Sequence, residues 1–141
     1  KIMVAIDLSE DSAPVVARAR GIADQSNAEL HLVHVIEPLS FAYGGDIPMD
    51  FSGIQEEIHQ QATQQMQRFA ESHNVDANHQ HILLGKPEVE IHAKADELQA
   101  ELIVMGSHGR SGLALLMGST ANGVLHGANC DVLAVRVGKK K

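Results

Sequence analysis

Short apolar runs alternate with longer amphipathic stretches along the whole of this 141-residue chain. Runs of five to eight residues that are bounded by polar or turn-forming residues indicate strands buried on both faces of a sheet. The runs are KIMVAID (1–7), ELHLVHVI (29–36), NHQHILL (78–84), ELIVM (101–105) and DVLAVRV (131–137).

The stretches between these runs have the apolar spacing of helices that cover a core on one side. The first helix begins at Ser12, which we expect to act as its cap, has Pro14 in its first turn, and ends at residues 24–27. The other helices are predicted over residues 51–73, 88–99 and 119–126. This alternation predicts one α/β domain over residues 1–141, with a right-handed, three-layer, five-stranded parallel sheet.

Composition narrows the function classes. The formal net charge of −7 argues against a basic face that binds nucleic acid. Aromatic residues make up only 3% of the chain, so the core must be packed from aliphatic side chains and Met. No apolar run approaches the roughly 20 residues of a membrane span, and no signal-peptide pattern opens the sequence. The single cysteine, Cys130, excludes an internal disulfide, and we expect a cytoplasmic protein.

Two segments follow predicted strands where open α/β sheets bind ligands, beyond the carboxyl ends of the strands. Asp7 follows the first strand, and the glycine-rich segment GSHGRSG (106–112) follows the fourth, before Gly118-Ser119-Thr120 opens the next helix. Glycines let backbone N–H groups approach a phosphate, and a helix N-terminus adds unpaired donors and a favourable dipole. These features favour a phosphate site. The alternative is a glycine-containing turn followed by an ordinary Ser N-cap.

Two common nucleotide motifs are absent from the sequence. No Gly-x4-Gly-Lys-Ser/Thr segment occurs, which argues against a P-loop. The turn at residues 7–12 contains no glycine, so the dinucleotide fingerprint is absent and NAD and FAD are disfavoured.

The glycine-rich region lies within a longer stretch, MGSHGRSGLALLMGSTANGVLHGANCDVLAVRV, which resembles the C-terminal signature of universal stress proteins. KIMVAIDLSEDS is similar to their first strand and turn, and LHLVHVIE to their second strand, so the resemblance covers the whole chain. It implies the adenine nucleotide alpha hydrolase-like form of the fold, a Rossmann-like sheet with its strands in the order 3-2-1-4-5. Members that bind ATP have Gly-x2-Gly, a spacer usually of nine residues, and Gly-Ser/Thr; here the spacer, 110–117, has eight residues. The resemblance therefore implies binding of ATP, or of AMP or ADP, with Mg²⁺ held through the phosphates.

The resemblance also implies a role for each matching residue. Ala5, Ile6 and Val35 would surround the adenine, and Asp7 would accept hydrogen bonds from the ribose hydroxyls. The residues implied to contact ribose or phosphates are Met105, Gly106, Gly109, Gly118, Ser119 and Thr120, with His108 and Arg110 as additional phosphate partners. On the residues alone, Asp7 can instead cap the following turn, and Val35 and Met105 can be ordinary core.

The nine histidines raise the question of a metal site. His79 and His81 are two apart on a predicted strand and so share a face, whereas His31 and His34 lie on opposite faces of theirs. Spacing identifies no third ligand, so we interpret the histidines as ordinary surface residues and predict no protein-held metal. Cys130 has no partner cysteine and is predicted to be an inert thiol.

The last strand is apolar and predicted to lie at a sheet edge, where it must be covered. Universal stress proteins dimerise through this segment, so the resemblance implies a homodimer, with a tetramer as an alternative. The implied interface residues are Val132, Leu133, Ala134, Val135, Arg136 and Val137. The other interpretation is an edge covered by the chain's own tail.

The resulting hypothesis is a nucleotide-dependent regulatory protein of the stress response, acting on a partner such as a transporter. The alternative is a slow ATP hydrolase or nucleotide-transferring enzyme, for which Asp7 and His108 are the only plausible helpers. No catalytic pair is recognisable, so turnover is not expected to be the main role. A response-regulator receiver would need an acid pair after the first strand and a lysine after the fifth, and neither is found.

Overall fold

A computed structural model of the protein describes residues 1–38, 52–107 and 122–136. Five parallel strands form one sheet in the order β3-β2-β1-β4-β5, which confirms the predicted order. The strands are β1 (Ile2–Ala5), β2 (Leu30–Ile36), β3 (Gln80–Leu84), β4 (Leu102–Gly106) and β5 (Asp131–Val135). The helices are α1 (Ser12–Ser26), α2 (Ser52–Ser72), α3 (Pro87–Leu98) and α4 (122–127).

The sheet is the middle of three layers, because successive strand residues face opposite sides. Val4 and Leu32 pack in a cluster with side chains of α1 and α2. Met3 and Val33 pack in a second cluster with side chains of α3 and α4. Both clusters consist of aliphatic residues and Met, as the scarcity of aromatic residues predicts.

The direction in which strands are added reverses at β1. β2 and β3 continue the sheet on one side of β1, and β4 and β5 continue it on the other. Ala5 at the end of β1 therefore has Val33 as one neighbour and Met105 as the other. The connections diverge at this point, which leaves a crevice at the carboxyl ends of the central strands.

The first strand is shorter than the apolar run that predicts it. β1 ends at Ala5, and Asp7 lies in the turn that follows. Leu8 has a φ of 64°, a left-handed conformation that is unfavourable for a residue with a Cβ atom. Its side chain is nonetheless buried in the core, so packing supports a strained turn beside the crevice.

The prediction that Ser12 caps α1 is wrong. Asp11 is the residue before the helix, and Ser12 is its first residue. The Ser12 hydroxyl instead donates to the carboxylate of Asp7. Pro14 does lie in the first turn, as predicted.

The prediction that β3 starts at Asn78 is also wrong. Residues Ala77–His79 form a turn of 3₁₀ helix, and the strand begins at Gln80. His79 therefore precedes the strand and does not share its face with His81. Of the other predicted elements, Phe51, residues 119–121 and Val137 lie outside the described residues.

Candidate functional site

A cavity of about 150 Å³ lies at the carboxyl ends of β1, β2 and β4, where the strand order reverses. Its walls are mostly apolar. The described residues that line it are Ala5, Ile6, Asp7, Val33, His34, Val35, Glu37, Pro87, Ile91 and Met105. The structure therefore brings five of the predicted site residues to one cavity. They come from three strands and the turn after β1.

Asp7 is fixed within the turn that follows β1. Its Oδ1 accepts hydrogen bonds from the Ser9 hydroxyl at 2.6 Å, the Ser12 hydroxyl at 2.8 Å and the Ser9 N–H at 3.0 Å. The Asp7 N–H in turn donates to the Ser12 hydroxyl at 3.2 Å. The described contacts thus match the interpretation in which Asp7 caps this turn. They also hold the carboxylate at the wall of the cavity.

His34 secures the backbone on the same side of the cavity. Its Nδ1 lies 2.8 Å from the carbonyl oxygen of Ile6. Because a carbonyl only accepts hydrogen bonds, this nitrogen carries the ring proton. The Ile6 N–H donates to the Val33 carbonyl at 2.9 Å, so both backbone polar groups of Ile6 are paired.

The described lining suits a neutral molecule with hydroxyl or amine donors. Asp7 and Glu37 are its acidic residues, and the described part of the wall includes no Lys or Arg. Carboxylates accept hydrogen bonds from hydroxyl or amine groups, whereas they repel phosphate. A charged phosphate group would therefore have to lie outside these walls.

The remaining predicted site residues follow Met105 in the sequence. Gly106 is buried as the last residue of that strand, beside Val135 of β5. His108, Gly109, Arg110, Gly118, Ser119 and Thr120 lie outside the described residues.

Five lining residues were not identified from the sequence: Val33, His34, Glu37, Pro87 and Ile91. Val33 shares a strand face with Val35, and that alternation was a usable signal. Pro87 and Ile91 come from α3, whose position over the cavity follows only from the packing of the helix on the sheet.

A second polar cluster lies at the opposite end of the strands, where β2 and β3 begin. It joins Glu29, His31, His79 and His81, four residues that sequence spacing did not connect. A ligand atom of each of the first three lies within 4.8 Å of the other two.

Comparison with known families settles the relationship. The model of the universal stress protein family matches residues 1–136. The chain belongs to the universal stress protein family. Universal stress protein A homolog 2 of Coxiella burnetii is 39% identical over 141 residues, covering 97% of this chain and 94% of that protein. Homolog 1 of the same organism is 41% identical over 136 residues and covers 95% and 94%.

Solved structures share the fold. Hypothetical protein MJ0577 superposes with a TM-score of 0.79 at 22% identity, over 99% of this chain and 98% of that one. A universal stress protein in complex with cAMP gives 0.66 at 24% identity, over 96% and 94%. The family member from Archaeoglobus fulgidus in complex with dAMP gives 0.64 at 24%, over 97% and 96%.

Among the described residues, none of the helices combines the length and the apolar character that a membrane crossing demands.

Proposed function

We propose that this protein binds an adenine nucleotide, ATP or else AMP or ADP, and that occupancy regulates a partner. The observation that carries the proposal is the cavity at the switch point of the sheet, apolar on most sides and with the Asp7 carboxylate at its wall. Such crevices are where open α/β sheets bind ligands. The family structures with cAMP and dAMP support an adenine nucleotide as the ligand class.

The adenine ring would occupy the apolar part of the cavity. Ala5 and Met105 are neighbours in register on β1 and β4, and Val35 lines the same cavity from β2. A small side chain at Ala5 leaves space between its larger neighbours for a flat ring. Met105 is only 2% exposed, so its side chain serves both the core and the cavity wall.

The ribose would contact Asp7. A carboxylate suits a ribose because its oxygens accept hydrogen bonds from hydroxyl donors, and Oδ1 of Asp7 is held by three contacts with the turn. Those contacts hold the group in one orientation before the ligand arrives, which reduces the entropic cost of binding.

The phosphates would lie on the loop after β4, away from the acidic lining. The glycines Gly106, Gly109 and Gly118 would allow close approach of backbone N–H groups, with the hydroxyls of Ser119 and Thr120 as additional donors. His108 and Arg110 would add positive or neutral donors. Mg²⁺ would be bound by phosphate oxygens and water, which is its usual preference.

Regulation would act through the dimer and the phosphate loop of a cytoplasmic protein. β5 is an edge strand, and Ala134 on it and Arg136 directly after it are exposed, which supports a homodimer formed through residues 132–137. A nucleotide can change partner binding only through different affinities for two conformations of such a segment.

The second candidate is slow ATP hydrolysis, for which Asp7 and His108 are the available helpers. It predicts steady-state phosphate release well above that of buffer, lost in Asp7→Ala while nucleotide binding is kept. Because Asp7 also holds the turn at the cavity wall, loss of phosphate release in Asp7→Ala supports hydrolysis only where the variant still binds nucleotide.

The direct test is to denature the purified protein and identify any released nucleotide by chromatography. We expect ATP or AMP at about one per chain, and loss of it in the double variant Gly109→Val/Ser119→Ala. An empty wild-type protein that also fails to bind added Mg-ATP would refute the proposal.

A further inference from the structure

A polar cluster lies at the amino-terminal ends of β2 and β3, and none of its residues has a role in the proposed nucleotide site. Glu29 precedes β2, His31 lies on β2, and His79 ends the 3₁₀ turn before β3. β2 and β3 are paired so that Leu32 lies beside Gln80, which brings the starts of both strands together. His31 lies near the start of β2, whereas Val33 and Val35 line the nucleotide cavity further along the same strand, so the two sites share β2 but no described residue.

We propose that Glu29, His31 and His79 form a binding site for Zn²⁺. Oε1 of Glu29 lies 3.1 Å from Nε2 of His31 and 3.8 Å from Nε2 of His79. A four-coordinate zinc ion with bonds of about 2.0–2.2 Å holds its ligand atoms about 3.3–3.6 Å apart. The distance from Glu29 to His31 is slightly shorter than that range, and the distance from Glu29 to His79 is slightly longer. All three ligand atoms lie within 4.8 Å of one another.

The ligand types select the metal. Two imidazole nitrogens and one carboxylate oxygen suit Zn²⁺, whereas Mg²⁺ and Ca²⁺ prefer oxygen ligands alone. Three protein ligands leave a fourth position for water. A polar cavity of about 180 Å³, lined by Glu29, His79 and Asp76 among others, opens beside the cluster and gives solvent access to that position.

His81 supplies the support that a metal-bound histidine usually has. The Nδ1 of His31 lies 3.0 Å from Nε2 of His81, on the side of the ring away from Glu29. Metal-binding imidazoles commonly donate their second N–H to such an acceptor, which fixes the ring orientation. The Nε2 of a neutral His81 imidazole offers such an acceptor.

The hydrogen bond between the two rings is compatible with both states of the site. Without metal, Nε2–H of His31 donates to the Glu29 carboxylate, and Nδ1 accepts from Nε2–H of His81. With zinc on Nε2, each ring changes tautomer, and Nδ1–H of His31 donates to Nε2 of His81. Each ring keeps one proton throughout.

Exposure divides the roles within the site. The side chain of His31 is 5% exposed and held in place by the strand, whereas His79 is 24% and Glu29 52% exposed. A rigid buried ligand with two more accessible ones permits entry of the ion from solvent. Bound zinc would link the turn before β3 to β2. Because the site exists only in the folded protein, binding would raise the free energy of unfolding.

The test uses the full chain without a histidine tag, stripped with EDTA and titrated with ZnCl₂ by calorimetry. We expect one tightly bound ion per chain and, at a hundredfold excess over Kd, a rise in Tm of roughly 5–10 °C. Glu29→Gln and His79→Ala should each weaken binding at least about tenfold. His59→Ala, which removes an exposed histidine on α2, is the matched control and should leave affinity unchanged.

Two results would overturn the zinc site. One is no saturable binding of ZnCl₂ by the wild-type protein. The other is binding that both site variants retain, which would place the ion elsewhere in the chain. Co²⁺ titration gives an independent readout, because a tetrahedral site produces strong visible absorption that His79→Ala should abolish. Neither measurement involves nucleotide.

Discussion

The hydroxyl of Ser12 donates a 2.8 Å hydrogen bond to Oδ1 of Asp7, and this contact joins the turn after β1 to the first residue of α1. Ser12 is only 4% exposed, so its hydroxyl and its partners are withdrawn from water. The same hydroxyl accepts from the Asp7 N–H. One serine therefore stabilises the fold and orients the carboxylate that we assign to the ribose.

Ser12→Ala should lower the free energy of unfolding by about 1–3 kcal/mol, because it removes a buried hydrogen bond to a charged group. Urea denaturation measures this change. Ser26→Ala removes an exposed hydroxyl that donates to the Ile22 carbonyl, and it should change stability by less than about 0.5 kcal/mol. Equal effects of the two substitutions would contradict the role given to Ser12.

Two glycines predict opposite responses to alanine. Gly21 lies within α1 and has open space around it, so Gly21→Ala should stabilise the protein by about 0.5–1 kcal/mol. A Cβ at Gly127 would overlap the ring of His92, whose Nε2–H donates to the Val124 carbonyl at 2.7 Å. Gly127→Ala should therefore destabilise by about 1 kcal/mol. Thermal or urea unfolding of both variants checks the difference in sign.

Cys130 should react slowly with alkylating reagents. Burial raises the pKa of its thiol, and the carboxylates of Asp131 and Asp96 raise it further, so the reactive thiolate is scarce at neutral pH. At pH 7.5 we expect the folded protein to react with iodoacetamide at least about threefold more slowly than the same protein in urea. Reaction at equal rates in the two states would show that the thiol is not protected.

If the protein dimerises through β5, a charge introduced on this strand should break the dimer. Ala134 is exposed on this edge strand, and Ala134→Glu would place a charge in the interface. Light scattering should then report a monomer where the wild-type protein is a dimer. Val89→Glu puts the same charge at an exposed apolar position of α3 and should leave the dimer intact. A wild-type monomer would rule out the interface.

The layered parallel architecture was predictable because the local patterns agree with one another, whereas the strand order came with the family resemblance. Runs such as LHLVHVI are apolar on both faces, which a parallel sheet between helices requires. The exact ends of the elements were not predictable, because they depend on contacts distant in sequence. Leu8 adopts a left-handed conformation although its type disfavours it, since the core accommodates its side chain.

The two candidate sites differed in how much the sequence revealed. Asp7 was identifiable because it follows a strand, where a parallel sheet binds ligands, whereas Val35 and Met105 were implied only by the resemblance to the family. The cluster of Glu29, His31 and His79 was not, because it depends on the register between β2 and β3. No short-range pattern encodes the pairing of residues 50 positions apart, such as His31 and His81.

The most direct test of the account is the affinity for Mg-ATP when the cavity is filled. Val35→Trp would occupy the space assigned to adenine, whereas Val89→Trp adds the same ring at an exposed position of α3. We predict that Val35→Trp weakens binding by at least about a hundredfold and that Val89→Trp binds as the wild-type protein does, with both variants folded by circular dichroism. If Val35→Trp binds Mg-ATP with wild-type affinity, the nucleotide does not occupy this cavity.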